Sequence, residues 1–270
     1  MKLSNKEQER LKNAYGDWAL VTGASSGIGM ALSELIASCN INVILCSRSQ
    51  ERLNTQASHL RKAYGIDTRV IALDLSEAES VDALIQQTQG ITISLFVASA
   101  GFGTSGKFLQ SSIHEEVNML RLNCEAVLRL THYFTQHMVQ RKKGGIILLS
   151  SIVAFQGVPY AAHYAATKAY VQSLAEGIQQ EIKGLGVDIL AAIPGPVESG
   201  FGQRANMQMG TALHPEDVAE SILKALGKSK SVLPGLLSKV LVTSLRTAPR
   251  FLRVKIMETI MRGFTKHQMG

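Results

Sequence analysis

Seven short runs of apolar, largely β-branched residues punctuate this chain, and stretches with helical spacing separate them. The runs are Trp18–Thr22, Ile41–Cys46, Thr68–Leu75, Ser94–Ala98, Gly145–Ser150, Val187–Ile193 and a weaker Ser229–Leu233. Their cores, such as Val43–Cys46 and Ile146–Leu149, are continuously apolar. A strand with one face in water alternates apolar and polar residues; a strand covered on both faces does not. The pattern therefore predicts an α/β fold, a doubly wound parallel sheet with helices on both sides. No Pro/Ser-rich linker or internal repeat interrupts it. One domain over residues 17–233 is expected, with a polar extension at 1–16 and a helical tail at 234–270.

Composition narrows the function classes. Hydrophobic residues make up 46% and charged residues 18% of the chain, which excludes a disordered polyelectrolyte. The net charge of +7 is uneven: nine Lys/Arg and a single acid, Glu258, fall between Lys228 and Gly270, giving that segment +8. The rest is near neutral, so no basic surface surrounds the centre of the fold and a nucleic-acid partner is not expected. Cys39, Cys46 and Cys124 are odd in number and share no CxxC spacing, which argues against a disulfide scaffold and for a reducing compartment. The polar start, MKLSNKEQERLKN, carries no apolar signal core, so a cytoplasmic protein is the expectation.

Directly after the first run comes Thr22-Gly23-Ala24-Ser25-Ser26-Gly27-Ile28-Gly29, followed by a helical stretch. Glycine lets a backbone approach a pyrophosphate closely, and a helix start offers free N–H groups and a positive dipole end. In the first strand–helix unit of a Rossmann-type fold, this is where a dinucleotide's phosphates rest. The alternative is a turn whose glycines serve only tight packing. Ser25 and Ser26 add hydroxyl donors to the cradle. At the end of the second strand, where an acid would bind the ribose of NAD, the chain reads Ser47-Arg48. A carboxylate repels a 2′-phosphate and a guanidinium pairs with it, so NADP(H) is the expected cofactor. An ordinary surface arginine is the competing reading of Arg48.

The spacing T-G-x-x-x-G-x-G resembles the short-chain dehydrogenase/reductase family, and later segments agree with it. Tyr164-Ala165-Ala166-Thr167-Lys168 puts a phenol and an ammonium on one helix face. The stretch SSIVAFQGVPYAAHYAATK is similar to the family's serine-to-YxxxK segment, and its serine thirteen positions before the tyrosine is Ser151. Pro194-Gly195-Pro196-Val197-Glu198-Ser199 resembles the segment flanking the nicotinamide. Asp74-Leu75 resembles the adenine contact, although Asp74 could instead cap a helix. Ser99-Ala100-Gly101 stands where the family has Asn-Ala-Gly. Asn123 lies in a helical pattern where asparagine has poor propensity.

The resemblance implies ketone–alcohol interconversion. Tyr164 would give or take the proton, with Lys168 and the positive nicotinamide ring together lowering its pKa and Lys168 also binding the nicotinamide ribose. Ser151 would hold the substrate oxygen and Asn123 would position a water. The cofactor set would be Gly23, Ser25, Ser26, Gly27, Ile28, Gly29, Arg48, Asp74, Leu75, Ala100, Gly101, Tyr164, Lys168, Pro194, Gly195, Val197 and Ser199. No metal site is expected. Met207 and Met209, in the segment after Ser199, would cover an apolar substrate, with Ala154, Phe155, Val158 and His163 beside it. A 3-oxoacyl chain, a steroid-like ketone and an aromatic ketone all fit. Members of the family form homodimers or homotetramers, which is the default here.

In the tail, Phe251, Val254, Met257 and Met261 recur at helical spacing among basic residues, and Pro249 could open the helix. A basic amphipathic helix suits a membrane surface; packing on the fold is the alternative. Two rival functions are a catalytically silent NADP-binding interaction protein and a membrane-tethered scaffold.

Overall fold

The computed structural model describes residues 3–210 and 212–268. The first half runs α1 (Asn5–Tyr15), β1 (Trp18–Thr22), α2 (Gly27–Ser38), β2 (Asn42–Ser47), α3 (Gln50–Tyr64), β3 (Thr68–Ala72), α4 (Ser80–Gln87) and β4 (Ile93–Ala98). The middle holds α5 (Ile113–Leu120), α6 (Ala126–Arg141), β5 (Gly144–Leu149), α7 (Ala162–Glu181) and β6 (Val187–Ala192). Then come α8 (Gly200–Arg204), α9 (Pro215–Ala225), β7 (Ser231–Val232), α10 (Leu236–Thr247) and α11 (Arg250–Phe264). A π-helical turn, Arg121–Glu125, joins α5 to α6.

The strands pair in parallel in the order β3-β2-β1-β4-β5-β6-β7. Successive residues feed opposite layers, which is why the strands had to be apolar throughout. Leu20, Ile44 and Phe96 face the layer of α4, α6, α7 and α11; Val21, Leu45 and Val97 face the layer of α1, α2, α3 and α9. Burying each of these side chains stabilises the fold by about 1.5–3 kcal/mol. Strand order reverses between β1 and β4, so their carboxyl ends diverge and leave a crevice there.

Both flanking segments are docked on this frame. In the N-terminal segment, Leu3, Leu11 and Tyr15 are buried, the Tyr15 hydroxyl donates to Asp188 Oδ2 at 2.7 Å, and Arg10 donates to the carbonyls of Leu223 and Leu226 at the end of α9. In the tail, Pro249 caps α11, and Met257 and Met261 are buried against the layer containing α7. The stripe is turned inward, as the packing alternative has it: Val254 is half-buried, and of its four residues Phe251 alone is exposed. Among the described residues no helix is long and apolar enough to cross a membrane.

Candidate active site

The crevice at the strand ends opens into one continuous cleft of about 1110 Å³. Its first third is the glycine turn. Gly23 and Gly27 take positive φ, +68° and +54°. A Cβ on Gly23 would lie 2.8 Å from the Ala100 nitrogen, and one on Gly29 2.3 Å from the Gly23 carbonyl oxygen. Gly23, Ser25, Ser26, Gly27 and Ile28 line the cleft, while Gly29 sits behind it and serves close helix-to-turn packing. The N-terminus of α2 faces this cradle without a side-chain cap, leaving N–H groups for an anion.

Thr22 braces the turn. Its hydroxyl donates to the Val97 carbonyl and accepts from the backbone nitrogens of Ser99 and Ala100, each at 3.2 Å. This bracing was not read from sequence; a hydroxyl-bearing residue at the last position of an otherwise apolar strand was the available signal. It keeps the loop after β4 in register although Ser99 replaces the family's asparagine.

Along one wall lie Ser47, Arg48, Arg52, Asp74 and Leu75, with Ala100, Gly101 and Phe102 beyond. Asp74 forms a local turn, accepting from the nitrogen and hydroxyl of Ser76 at 3.0 and 2.7 Å, and α4 begins only at Ser80; Asp74 is no helix cap. Burial alone would raise its carboxyl, but the Ser76 bonds and the nearby Arg48 and Arg204 outweigh it and hold the group below its usual value. Arg48 Nη1 lies 3.7 Å from Asp74 Oδ2.

The middle third gathers Ser151, Tyr164 and Lys168 with Pro194, Gly195, Val197 and Ser199. Ser150 also lines the cleft, but its hydroxyl donates to the Lys168 carbonyl at 3.1 Å. Ser151 caps a short turn, accepting from Val153 nitrogen at 3.4 Å, and its hydroxyl lies beside that of Tyr164. Lys168 Nζ donates to the Leu149 carbonyl at 2.8 Å and stands 5.8 Å from the Tyr164 ring centre. Burial pushes the Tyr164 phenol up to about 12, Ser151 pulling the other way, and pushes the Lys168 ammonium down to about 8. Among the chain's own groups burial outweighs Ser151, and the expected lowering rests on Lys168 together with the nicotinamide ring. Phenol and ammonium are both desolvated, and the ammonium is turned to a carbonyl.

Asn123 lies behind the cleft, buried in the π-helical turn. It accepts from Phe102 nitrogen at 3.1 Å and donates to Phe102 oxygen and Thr167 Oγ1 at 2.8 and 3.0 Å. Thr167 in turn donates to the Tyr164 carbonyl. Asn123 therefore ties the loop after β4 to the tyrosine helix.

The last third is apolar. Phe201 packs on the Tyr164 ring, with centres 5.2 Å apart, and Met207 and Met209 continue the wall as expected. The remainder comes from the tail: Leu237 and Leu241 of α10, and Met257, Ile260, Met261 and Phe264 of α11. Helical spacing marks the α11 stripe in the sequence but not its partner. Ala154, Phe155, Val158 and His163 are also expected here from their place beside the serine and tyrosine. None lines the cleft: Ala154 and Val158 are core, Phe155 lies 5.2 Å from the Arg246 guanidinium, and His163 is 2.6 Å from buried Glu116, which also accepts from Thr104.

A Rossmann crevice, a glycine cradle and a Ser–Tyr–Lys cluster in one cleft define an oxidoreductase of the dinucleotide-dependent kind. The short chain dehydrogenase family profile matches residues 17–210, and the chain belongs to that family. It is 28% identical to the 7beta-hydroxysteroid dehydrogenase of Collinsella aerofaciens over 238 residues, covering 83% of this chain and 88% of that protein. A solved structure of 7beta-hydroxysteroid dehydrogenase superposes with a TM-score of 0.85 at 26% identity, covering 92% and 98% of the two chains. The alcohol dehydrogenase of Thermococcus sibiricus, solved with 5-hydroxy-NADP, superposes with a TM-score of 0.72 at 27% identity, covering 80% and 95%. The protein is an oxidoreductase that uses a nicotinamide cofactor to interconvert alcohols and ketones.

Proposed function

We propose that this enzyme reduces a bulky apolar ketone with NADPH, or runs the reverse oxidation of the secondary alcohol, with Tyr164 as the proton donor and acceptor. The observation that carries the reading is that one cleft holds all three parts: the phosphate cradle, the cluster of Ser151, Tyr164 and Lys168, and an apolar wall that meets the Tyr164 ring at Phe201. The cradle fits a dinucleotide because Gly23, Ser25, Ser26, Gly27 and Ile28 line the cleft there and the uncapped N-terminus of α2 offers its N–H groups to a phosphate. Bound there, the nicotinamide supplies or accepts the hydride. Negative charge then grows on the substrate oxygen, which needs a hydrogen bond and a proton at that moment. Ser151 gives the hydrogen bond. Tyr164, protonated across the neutral range, gives the proton.

Lys168 stands close enough to favour the phenolate as it forms and to bind ribose hydroxyls. The Asn123 side chain is fully engaged, so a water on the return path of the proton is held by its main chain in the π-helical turn. Ser47 stands where the acid would be and Arg48 follows it, which favours NADP(H) over NAD(H). A steroid-sized ring system suits the methionine-walled chamber and agrees with what the 7beta-hydroxysteroid dehydrogenases are named for.

The decisive measurement follows NADPH absorbance against steroid, aromatic and 3-oxoacyl ketones in wild type and Tyr164→Phe. The variant should lose on the order of 10³-fold or more in kcat and bind NADPH normally. Undiminished turnover in Tyr164→Phe would end the mechanism. The catalytically silent alternative requires that no ketone oxidise NADPH. Self-association is proposed through the exposed apolar residues Leu109, Ile113, Leu120 and Leu128, as members of this family are typically oligomeric. Peripheral membrane contact is proposed through Leu236, Leu237, Val240 and Phe251, which are exposed in the basic tail.

A further inference from the structure

The short helix α8 ends in a cation, Arg204. The Arg204 guanidinium sits 3.7 Å from the centre of the Phe102 ring and makes no hydrogen bond or ion pair among the described residues. Phe102 follows Gly101 in the loop after β4, and both Phe102 and Arg204 line the cleft. The side chain thus ties the segment after Ser199 to the loop after β4 within the cleft. Stacking on the ring fixes the guanidinium plane and leaves its N–H edge open.

The charges around it do not balance. Arg48, Arg52 and Arg204 all line the cleft, and Asp74 is the one acid among its described lining residues. Asp74 is already occupied by Ser76 and Arg48. Glu115 of α5 is the other acid whose charge reaches Arg204. Burial and the facing charge of Arg48 both weaken the hold of Arg204 on its proton, as expected for like charges sharing a partly dehydrated groove. Guanidiniums that share one groove with too few carboxylates make an anion site, and a phosphate takes guanidinium donors two at a time.

We propose that Arg204 is a cofactor-specificity residue carried by the covering segment: together with Arg48 it takes the 2′-phosphate of NADP(H), so that this segment closes over the phosphorylated dinucleotide and not over NAD(H). The proposal rests on the NADP(H) reading above and adds a second contact to it, carried by α8. Phe201, three residues earlier on the same short helix, packs on Tyr164, so this closure also sets the wall of the substrate chamber beside the phenol.

The test titrates NADPH and NADH separately into the full-length wild type, Arg204→Gln, Arg204→Lys and Arg48→Ala by fluorescence, and follows hydrogen exchange of residues 200–210 in each. Arg204→Gln should weaken NADPH binding roughly tenfold, the size of one charge-assisted contact, and leave NADH binding unchanged. Arg204→Lys should recover part of the loss. NADPH, but not NADH, should slow exchange in residues 200–210 of the wild type, and Arg204→Gln should remove that protection. A wild type without NADPH preference overturns the cofactor reading and this proposal together. A wild type that prefers NADPH, loses that preference in Arg48→Ala and is indifferent to Arg204→Gln overturns this proposal alone. Equal weakening of both cofactors places Arg204 on the shared pyrophosphate and also overturns it. A melting temperature and circular dichroism spectrum equal to wild type show that Arg204→Gln is folded.

Discussion

Lys168 places a cation where the fold would be more stable without one. Its folded pKa, pushed down to about 8 by burial, lies below the ordinary 10.5. Between those values the unfolded chain binds more protons than the folded one, so stability rises with pH across that window. Below pH 8 both states are protonated and the fold bears the whole penalty, on the order of 3 kcal/mol. Lys168→Met removes that penalty but leaves the Leu149 carbonyl unpaired, at a cost of about 1–3 kcal/mol. At pH 7 the variant should therefore melt level with wild type or a few degrees above it, with turnover lost. By pH 10 that advantage should have shrunk, because wild type is by then largely relieved of its buried charge. Melting curves at the two pH values check this, and a larger advantage at pH 10 than at pH 7 would refute it. The Tyr–Lys spacing was legible in the sequence, since i and i+4 share a helix face. The direction of the phenol shift was not, because it depends on how much water the folded cleft leaves beside the ring.

Elements whose partner is adjacent in the chain were the easiest to read. β1, the glycine turn and α2 form one local unit, so their residues announce both the structure and the phosphate cradle. The tail is the opposite case. Met257, Ile260, Met261 and Phe264 fall at helical spacing, which marks a buried face, but nothing local says that its partner is the chamber beside Tyr164 and Phe201. The two methionines offer an adaptable wall, and filling it should narrow the range of substrates. Met261→Trp should cut kcat/KM for a steroid-sized ketone at least roughly tenfold, while a small aromatic ketone and NADPH binding are spared. Equal losses for large and small ketones would mean that α11 had been displaced, and the chamber assignment would fail. Glu116 follows the same logic: a carboxylate on a helical face reads as solvated, whereas the fold buries it between His163 and Thr104.

At the scale of the whole molecule, exposed apolar side chains among the described residues gather chiefly in two places, and charge distinguishes them. Leu109, Ile113, Leu120 and Leu128 lie along α5 and α6 and the turn before them, among Glu115, Arg121, Glu125 and Arg129, a mixed set that a second copy of the same surface can match. Leu236, Leu237, Val240 and Phe251 belong to a segment with nine cations and one acid, where a second copy would repel. An anionic lipid surface supplies the missing charge, at about 1 kcal/mol for each cation that nears it. Leu237 also lines the apolar end of the cleft, so a protein resting on lipid through this segment would present its chamber to an apolar substrate dissolved there. The protein should co-sediment with vesicles containing phosphatidylserine and not with neutral ones, and be released as salt shortens the reach of the charges. Replacing Leu236, Val240 and Phe251 with serine should abolish sedimentation without changing NADPH binding or oligomeric state. Leu109→Glu with Ile113→Glu should instead change the oligomeric state and leave sedimentation intact. Equal sedimentation of wild type and the triple serine variant would remove the membrane reading and leave the basic tail as the wall of the chamber alone.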